Sequence, residues 1–333
     1  MKVFGIIVAA VLGVFVVLIG IAWLKLRGPD IPYAALEAKY ADGDSHFVDL
    51  PGGIHLHYQE FGAPVAGAPV QPLLVLLHGF GDSYTSWDGW VQELKDKFHI
   101  ISVDFPGHGL TRAPAGYELT GAGLADLIDA LAAKLELPKF ALAGNSMGGG
   151  VAWEFAVRHP QRLNALILVD AAGFPNDGPP PKVPLAFRIL QYRLGRAFLR
   201  NIDNRPLIDE GLKTDVFDQR VITPALVDRW AEFQRAPGHR AILMSFHPSV
   251  FGQAAATELR QISVPTLILH GENDPLIEPA AARKFAAAIP GAKLILYPQV
   301  GHLPQIEIPQ RSANDVGEFL ASSGIIGACC QIR

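Results

Sequence analysis

The chain has 333 residues, half of them hydrophobic, with a formal net charge of −4. That is enough apolar mass for one large domain with a sizeable core, and it argues against a nucleic-acid partner, because a phosphate backbone needs a concentrated basic patch. The two cysteines, Cys329 and Cys330, are adjacent at the C-terminus, so neither a disulfide framework nor a cysteine-based zinc site is expected in the body.

In chain order, the first feature is a run without charge from Val3 to Leu24, flanked by Lys2 and by Lys25 and Arg27. As a helix, such a run is about as long as the roughly 30 Å hydrocarbon core of a bilayer. A cleavable signal peptide is the competing reading. Its apolar region is usually only about 7–15 residues, and Ile21-Ala22-Trp23-Leu24-Lys25 makes a poor cleavage site. The expectation is an uncleaved single-pass anchor over 1–27, membrane localisation and the lipid bilayer as a partner. Lys25, Arg27 and Lys39 outnumber Lys2, which favours the cytoplasmic face for the body.

Gly28-Pro29-Asp30 and Ile31-Pro32 break any helix, and 28–44 is expected to be a linker. The body then alternates. His46–Leu50 and Ile54–Glu60 suggest a hairpin around Pro51-Gly52-Gly53. Leu73–Leu77 and Ile100–Val103 suit strands buried on both faces. Leu119–Leu135 carries helical periodicity, with Leu124, Leu127, Ile128, Leu131 and Leu135 on one face. Phe140–Ala143, Leu166–Val169, Thr266–Leu269 and Lys293–Tyr297 read as strands, and Met147–Arg158, Ala280–Ala288 and Gln310–Leu320 as helices. This alternation predicts an α/β fold with a mostly parallel sheet flanked by helices. The core spans 45–173 and 262–321, with a C-terminal tail over 322–333. Between its two parts, 174–261 is helical without strands and is expected to form a lid over one edge of the sheet. Leu185–Leu199 reads as one amphipathic stretch, and its apolar residues either pack the lid onto the body or line a pocket.

Gly144-Asn145-Ser146-Met147-Gly148 matches G-x-S-x-G between a predicted strand and a predicted helix. Glycines there permit a turn so tight that the serine projects at a helix N-terminus, where free N–H groups suit a developing oxyanion. Ser146 is the candidate nucleophile. A backbone N–H in His78-Gly79-Phe80-Gly81, that of Phe80, can pair with the N–H of Met147 as an oxyanion hole. The His78 side chain is expected to be structural. A serine needs a base, and the base needs an orienting carboxylate. Among eleven histidines, His302 stands out in Val300-Gly301-His302-Leu303-Pro304, just after a strand. The acid is either Asp274, in the polar loop His270-Gly271-Glu272-Asn273-Asp274-Pro275, or Asp170, at the end of Leu166–Val169. Asp274 is favoured because its loop can project it at His302. No metal or organic cofactor is needed for this chemistry.

Taken in order, His78–Gly81, Asp104-Phe105-Pro106-Gly107-His108-Gly109, the Gly144–Gly148 elbow, His270–Pro275 and Gly301-His302 resemble the α/β-hydrolase superfamily over about 45–321. The Asp104–Gly109 turn reads as structural. The resemblance implies the α/β-hydrolase fold with an inserted lid, and a serine hydrolase using Ser146, Asp274 and His302. Gly144–Gly149 is similar both to esterases and monoacylglycerol lipases and to the carbon–carbon hydrolases of aromatic ring cleavage. The anchor reading favours the first, with an apolar ester as substrate. Carbon–carbon hydrolysis is the alternative, and a non-catalytic binding module on a hydrolase scaffold is a second.

Overall fold

The computed structural model describes residues 26–63, 71–175, 184–245 and 254–325, together with positions 4, 12–15, 17–18, 20–21 and 23–24. Eight strands form one sheet: β1 (Ser45–Leu50), β2 (Ile54–Phe61), β3 (Leu73–Leu77), β4 (His99–Val103), β5 (Phe140–Asn145), β6 (Leu163–Val169), β7 (Thr266–Gly271) and β8 (Lys293–Tyr297). Their spatial order is β1-β2-β4-β3-β5-β6-β7-β8. β2 pairs antiparallel with β1 and β4, and all other neighbours run parallel.

The apolar run of β3 explains its position. Leu73, Val75 and Leu77 enter the core on one face of the sheet, while Leu74 and Leu76 enter the core on the other. A strand buried on both sides has no polar face to alternate with. Helices cover both faces. Gly121–Lys134, capped by the Thr120 side chain on the N–H of Gly123, and Met147–Arg158 contribute to the first core. Asp88–Leu94 and Pro309–Ser322 contribute to the second.

Differences from the sequence reading are local. The expected linker 28–44 contains a helix, α1 (Tyr33–Tyr40), that follows Pro32 and buries Leu36. The expected single stretch Leu185–Leu199 is two short helices, Leu185–Leu190 and Arg193–Leu199. A Cβ on Gly195 would meet the carbonyl oxygen of Ile189 at 2.2 Å, so the second helix packs against the end of the first at a glycine. The lid continues with Arg205–Asp215, Pro224–Gln234, His239–Ser245 and Ala256–Leu259.

The membrane expectation is corrected. A span needs about 20 consecutive apolar residues in one helix. Among the described residues no helix is long and apolar enough to cross a membrane. The single-pass localisation and the bilayer as partner are withdrawn accordingly. Half of the run Val3–Leu24 on which they rested falls outside the described residues, as do Cys329 and Cys330.

Candidate functional site

The parallel strands deliver their C-terminal ends to one edge, where sites of open α/β sheets assemble. The loop after β3 carries His78–Gly81. Ser146 follows β5, Asp170 follows β6, Asp274 follows β7 and His302 follows β8.

Ser146 sits at φ 54° and ψ −115°, a conformation that L residues rarely adopt. The flanking glycines make it possible. A Cβ on Gly144 would come within 2.2 Å of the Gly148 carbonyl oxygen, and one on Gly148 within 2.2 Å of the Leu77 carbonyl oxygen. The motif therefore records two steric requirements around one strained residue. The turn is fixed by hydrogen bonds from the Ser146 N–H to the Val169 carbonyl (3.0 Å) and from the Ala172 N–H to the Ser146 carbonyl (2.9 Å). Met147 opens the following helix, whose first N–H groups have no partner within the helix.

His302 is held at three points. Its Nδ1 lies 2.7 Å from Asp274 Oδ2. Its backbone N–H donates to the Asp215 carbonyl at 2.7 Å, and its carbonyl accepts from Asn145 Nδ2 at 3.1 Å. Burial opposes the imidazolium, but the carboxylates of Asp274, Asp215 and Glu307 outweigh it and hold the His302 pKa above its ordinary value. Asp274 is fully buried, which alone would raise its pKa. The charge and hydrogen bond of His302, with His270 and the Ile277 N–H, turn the shift downward, so Asp274 stays ionised. Its Oδ1 accepts the N–H groups of Leu276 (2.7 Å) and Ile277 (3.0 Å), which fixes the carboxylate toward the imidazole.

Ser146 and His302 line one cavity of about 850 Å³, counted with its open mouth. Its walls include Phe80 from the β3 loop and Phe187, Leu190, Leu199 and Leu212 from the lid. Phe198 and Leu194 do not line it; they are 42% and 84% exposed. Of the two acid candidates, the one on the imidazole is Asp274. Asp170 lies behind it, buried, with Oδ1 accepting the Gly271 N–H at 2.9 Å.

His78 and Asp104 serve the scaffold around this edge. His78 Nδ1 donates to the Gly79 carbonyl and its Nε2 accepts the Phe105 N–H at 3.1 Å. Asp104 accepts from the N–H groups of Tyr84 and Leu110 and from His57. Sequence reasoning missed five polar residues of the cavity wall: Asp82, Asn145, Asn204, Asp215 and Gln234. Asn145 was visible only as the variable position of the motif. Asp215 closes a lid helix whose Leu207, Ile208 and Leu212 recur at helical spacing and face the cavity, a pattern legible in retrospect.

The family model of the alpha/beta hydrolase fold matches residues 72–309. The chain belongs to the α/β-hydrolase family. A 2-hydroxymuconate semialdehyde hydrolase of Pseudomonas sp. (strain CF600) is 31% identical over 283 residues, covering 82% of this chain and 93% of that one. A pimeloyl-[acyl-carrier protein] methyl ester esterase of Nitrosomonas europaea is 29% identical over 245 residues, covering 72% of this chain and 92% of that one. A crystal structure of a meta-cleavage product hydrolase matches with a TM-score of 0.71 over 83% of this chain and 98% of that chain, at 22% identity, which is a likeness of fold. The chain is thus a hydrolase of this family, and the reading as a non-catalytic module is set aside.

Proposed function

We propose that this α/β-hydrolase cleaves uncharged carboxylic esters through an acyl-enzyme. Ser146 Oγ attacks the carbonyl carbon while His302 takes its proton, and Asp274 holds the imidazole in the productive tautomer. The N–H groups of Phe80 and Met147 stabilise the tetrahedral oxyanion. His302 returns the proton to the leaving alcohol as its C–O bond breaks, and water then releases the acid by the same steps in reverse. Phe187, Leu190, Leu199 and Leu212 of the lid supply the apolar wall for the acyl group.

The observation that carries the ester reading is the chemistry of the cavity wall. Its described lining is mostly apolar and includes no Lys or Arg, while two carboxyl groups, Asp82 and Asp215, belong to it. A carboxylate-bearing dienone acid would find no counter-ion there. The buried lid arginine, Arg240, is committed elsewhere, to the Ile202 carbonyl (3.1 Å) and Asp30 (2.6 Å).

The second reading is carbon–carbon hydrolysis of a dienone acid by the same residues. Sequence similarity favours it over the ester reading, since the 31% identical relative is a 2-hydroxymuconate semialdehyde hydrolase. One activity profile separates them: p-nitrophenyl esters, monoacylglycerols and a dienone acid, each with Ser146→Ala as control. Ester turnover in large excess is expected, with Ser146→Ala lower by roughly 10⁴-fold. Preference for the dienone acid would replace the ester reading. Normal fluorophosphonate labelling of folded Ser146→Ala would remove Ser146 as nucleophile.

A further inference from the structure

We propose that Asp170 is a positioning residue that keeps its proton and donates it to the Asp274 carboxylate, so that the acid behind His302 is a pair of carboxyls sharing one proton. The inference rests on the reading that Asp274 and His302 serve Ser146. Its first test below does not.

The backbone places Asp170 at a cost. Directly after β6 it adopts φ 44°, in the left-handed region, with its N–H on the Leu269 carbonyl at 2.9 Å. The side chain is wholly buried. Oδ1 accepts the Gly271 N–H, while Oδ2 has no hydrogen-bond partner among the described residues. Carboxyl oxygens of Asp170 and Asp274 and a ring nitrogen of His302 all lie within 4.8 Å of one another. Two buried carboxylates that close cannot both be ionised, and an ionised oxygen without a donor is the more costly of the two to keep. Asp274 already has its donors: Leu276 and Ile277 on Oδ1, His302 on Oδ2. Asp170 therefore carries the proton, and that proton converts its orphaned Oδ2 from an acceptor without a donor into a donor, with the Asp274 carboxylate as the anion beside it.

The other groups around Asp170 are His270, His302, Glu307 and Tyr297. Of these one can carry positive charge, His302, and its Nδ1 is taken by Asp274 at 2.7 Å. His270 Nε2 lies 2.9 Å from the Ile277 carbonyl and donates to it, which leaves a lone pair on the Nδ1 that sits 3.6 Å from Asp170 Oδ1. Burial keeps that imidazole neutral. Glu307 and Tyr297 offer no positive charge. Burial first, and then the charge of Asp274, push Asp170 well above the ordinary carboxyl range. The donated hydrogen bond spreads the charge of Asp274 and fixes its tilt toward His302.

The test has a spectroscopic and a kinetic arm. Infrared difference spectra of wild type and Asp170→Asn are taken at mildly alkaline pH, where ordinary carboxyls are ionised. The expected result is a protonated-carboxyl band in wild type that the variant lacks. No lost band overturns the proposal, whatever reaction the enzyme performs. In kinetics, Asp170→Ala removes the donor and is expected to lower kcat roughly tenfold. It should also move the acid limb of the profile to higher pH, because an unshielded Asp274 holds the imidazolium more tightly. Asp170→Asn supplies an N–H in place of the O–H and is expected to restore most of that loss. It should also abolish the alkaline decline that ionisation of Asp170 causes in wild type. An acid limb unmoved by Asp170→Ala, or an alkaline decline unchanged in Asp170→Asn, overturns the proposal. So does stoichiometric metal in the purified protein that Asp170→Asn loses, which would put a cation where the proton is assigned.

Discussion

Single residues at this sheet edge combine deep burial with incomplete hydrogen bonding, and Asp82 shows the energetic consequence. It is 2% exposed, its Oδ1 accepts the Ser83 N–H at 2.7 Å, and its Oδ2 has no partner among the described residues. Burial outweighs the hydrogen bonds of Ser86 and Ser83 and the charge of Arg229, and pushes its pKa up to about 7. A carboxyl raised in the folded state favours folding fully below its unfolded value and loses that contribution as pH rises through about 7. Above that, the fold carries a penalty of about 4 kcal/mol at most. Asp82→Asn has no charge to bury and keeps an acceptor for Ser83. Its melting temperature should exceed that of wild type, with a gain that is larger at about pH 8 than at about pH 5. Calorimetry at the two pH values checks this. An equal gain at both would mean that Asp82 does not titrate between them. At this scale the sequence was most readable where sterics leave few options. Gly144 and Gly148 can only be glycine, so the elbow could be recognised from five letters. Asp82 and Asp215 were not readable, because the burial that gives them their character arises only where the lid and the sheet edge meet around one cavity.

Secondary-structure elements followed the same rule. The strands of the sheet appeared where the sequence placed them, with ends moved by a few residues, as β6 shows by beginning at Leu163 rather than Leu166, whereas the helix Asp88–Leu94 was not among the expected elements. The lid was harder. Amphipathic spacing over Leu185–Leu199 is continuous, yet the chain breaks at Gln191-Tyr192 into two helices, each of which buries one leucine, Leu190 or Leu199, in the same cluster. Leu190 and Leu199 line the cavity, while Phe198, one residue away from Leu199, is half exposed and does not. That difference yields a discriminating experiment. A larger side chain at a cavity wall narrows it, and apolar pockets resolve roughly 1–3 kcal/mol per methylene. Leu190→Trp should therefore lower kcat/KM for long acyl esters at least about tenfold more than for acetate esters. Phe198→Trp should change both alike and little. Equal effects of the two substitutions across chain lengths would take the Leu185–Leu190 helix out of the acyl site.

At the scale of the whole molecule, residues 28–44 behave as part of the body. Leu36 of α1 is 1% exposed and packs in a cluster with Tyr84, Leu110 and Phe233. Around it, the Ile31 N–H donates to the Arg235 carbonyl at 2.8 Å, Lys39 pairs with Glu232 at 2.8 Å, and Tyr84 Oη donates to the Tyr40 carbonyl at 2.8 Å. These contacts join the lid helix Pro224–Gln234, which lines the cavity through Trp230 and Gln234, to the β3 side of the sheet edge. Pro29-Asp30 and Ile31-Pro32 were correctly read as helix breakers, but a Pro just before a helix also starts one, and Pro32 precedes α1. Two shortened chains separate strap from spacer. One beginning at Asp30 retains α1 and the Asp30–Arg240 pair. One beginning at Ser45 loses the burial of Leu36, about 2 kcal/mol for a leucine side chain, together with its aromatic neighbours. In a chain of this size each kcal/mol is about 1.5–2 °C of melting temperature. The Ser45 chain should melt at least about 3 °C below the Asp30 chain. It should show a raised KM for long acyl esters, because the lid wall loses its tether, and a kcat for acetate esters close to that of the Asp30 chain, because Ser146, Asp274 and His302 are anchored by the sheet. Equal melting temperatures would make 28–44 a passive spacer after all, and a collapse of kcat on acetate esters would mean that the strap holds Ser146, Asp274 and His302 themselves and not only the lid.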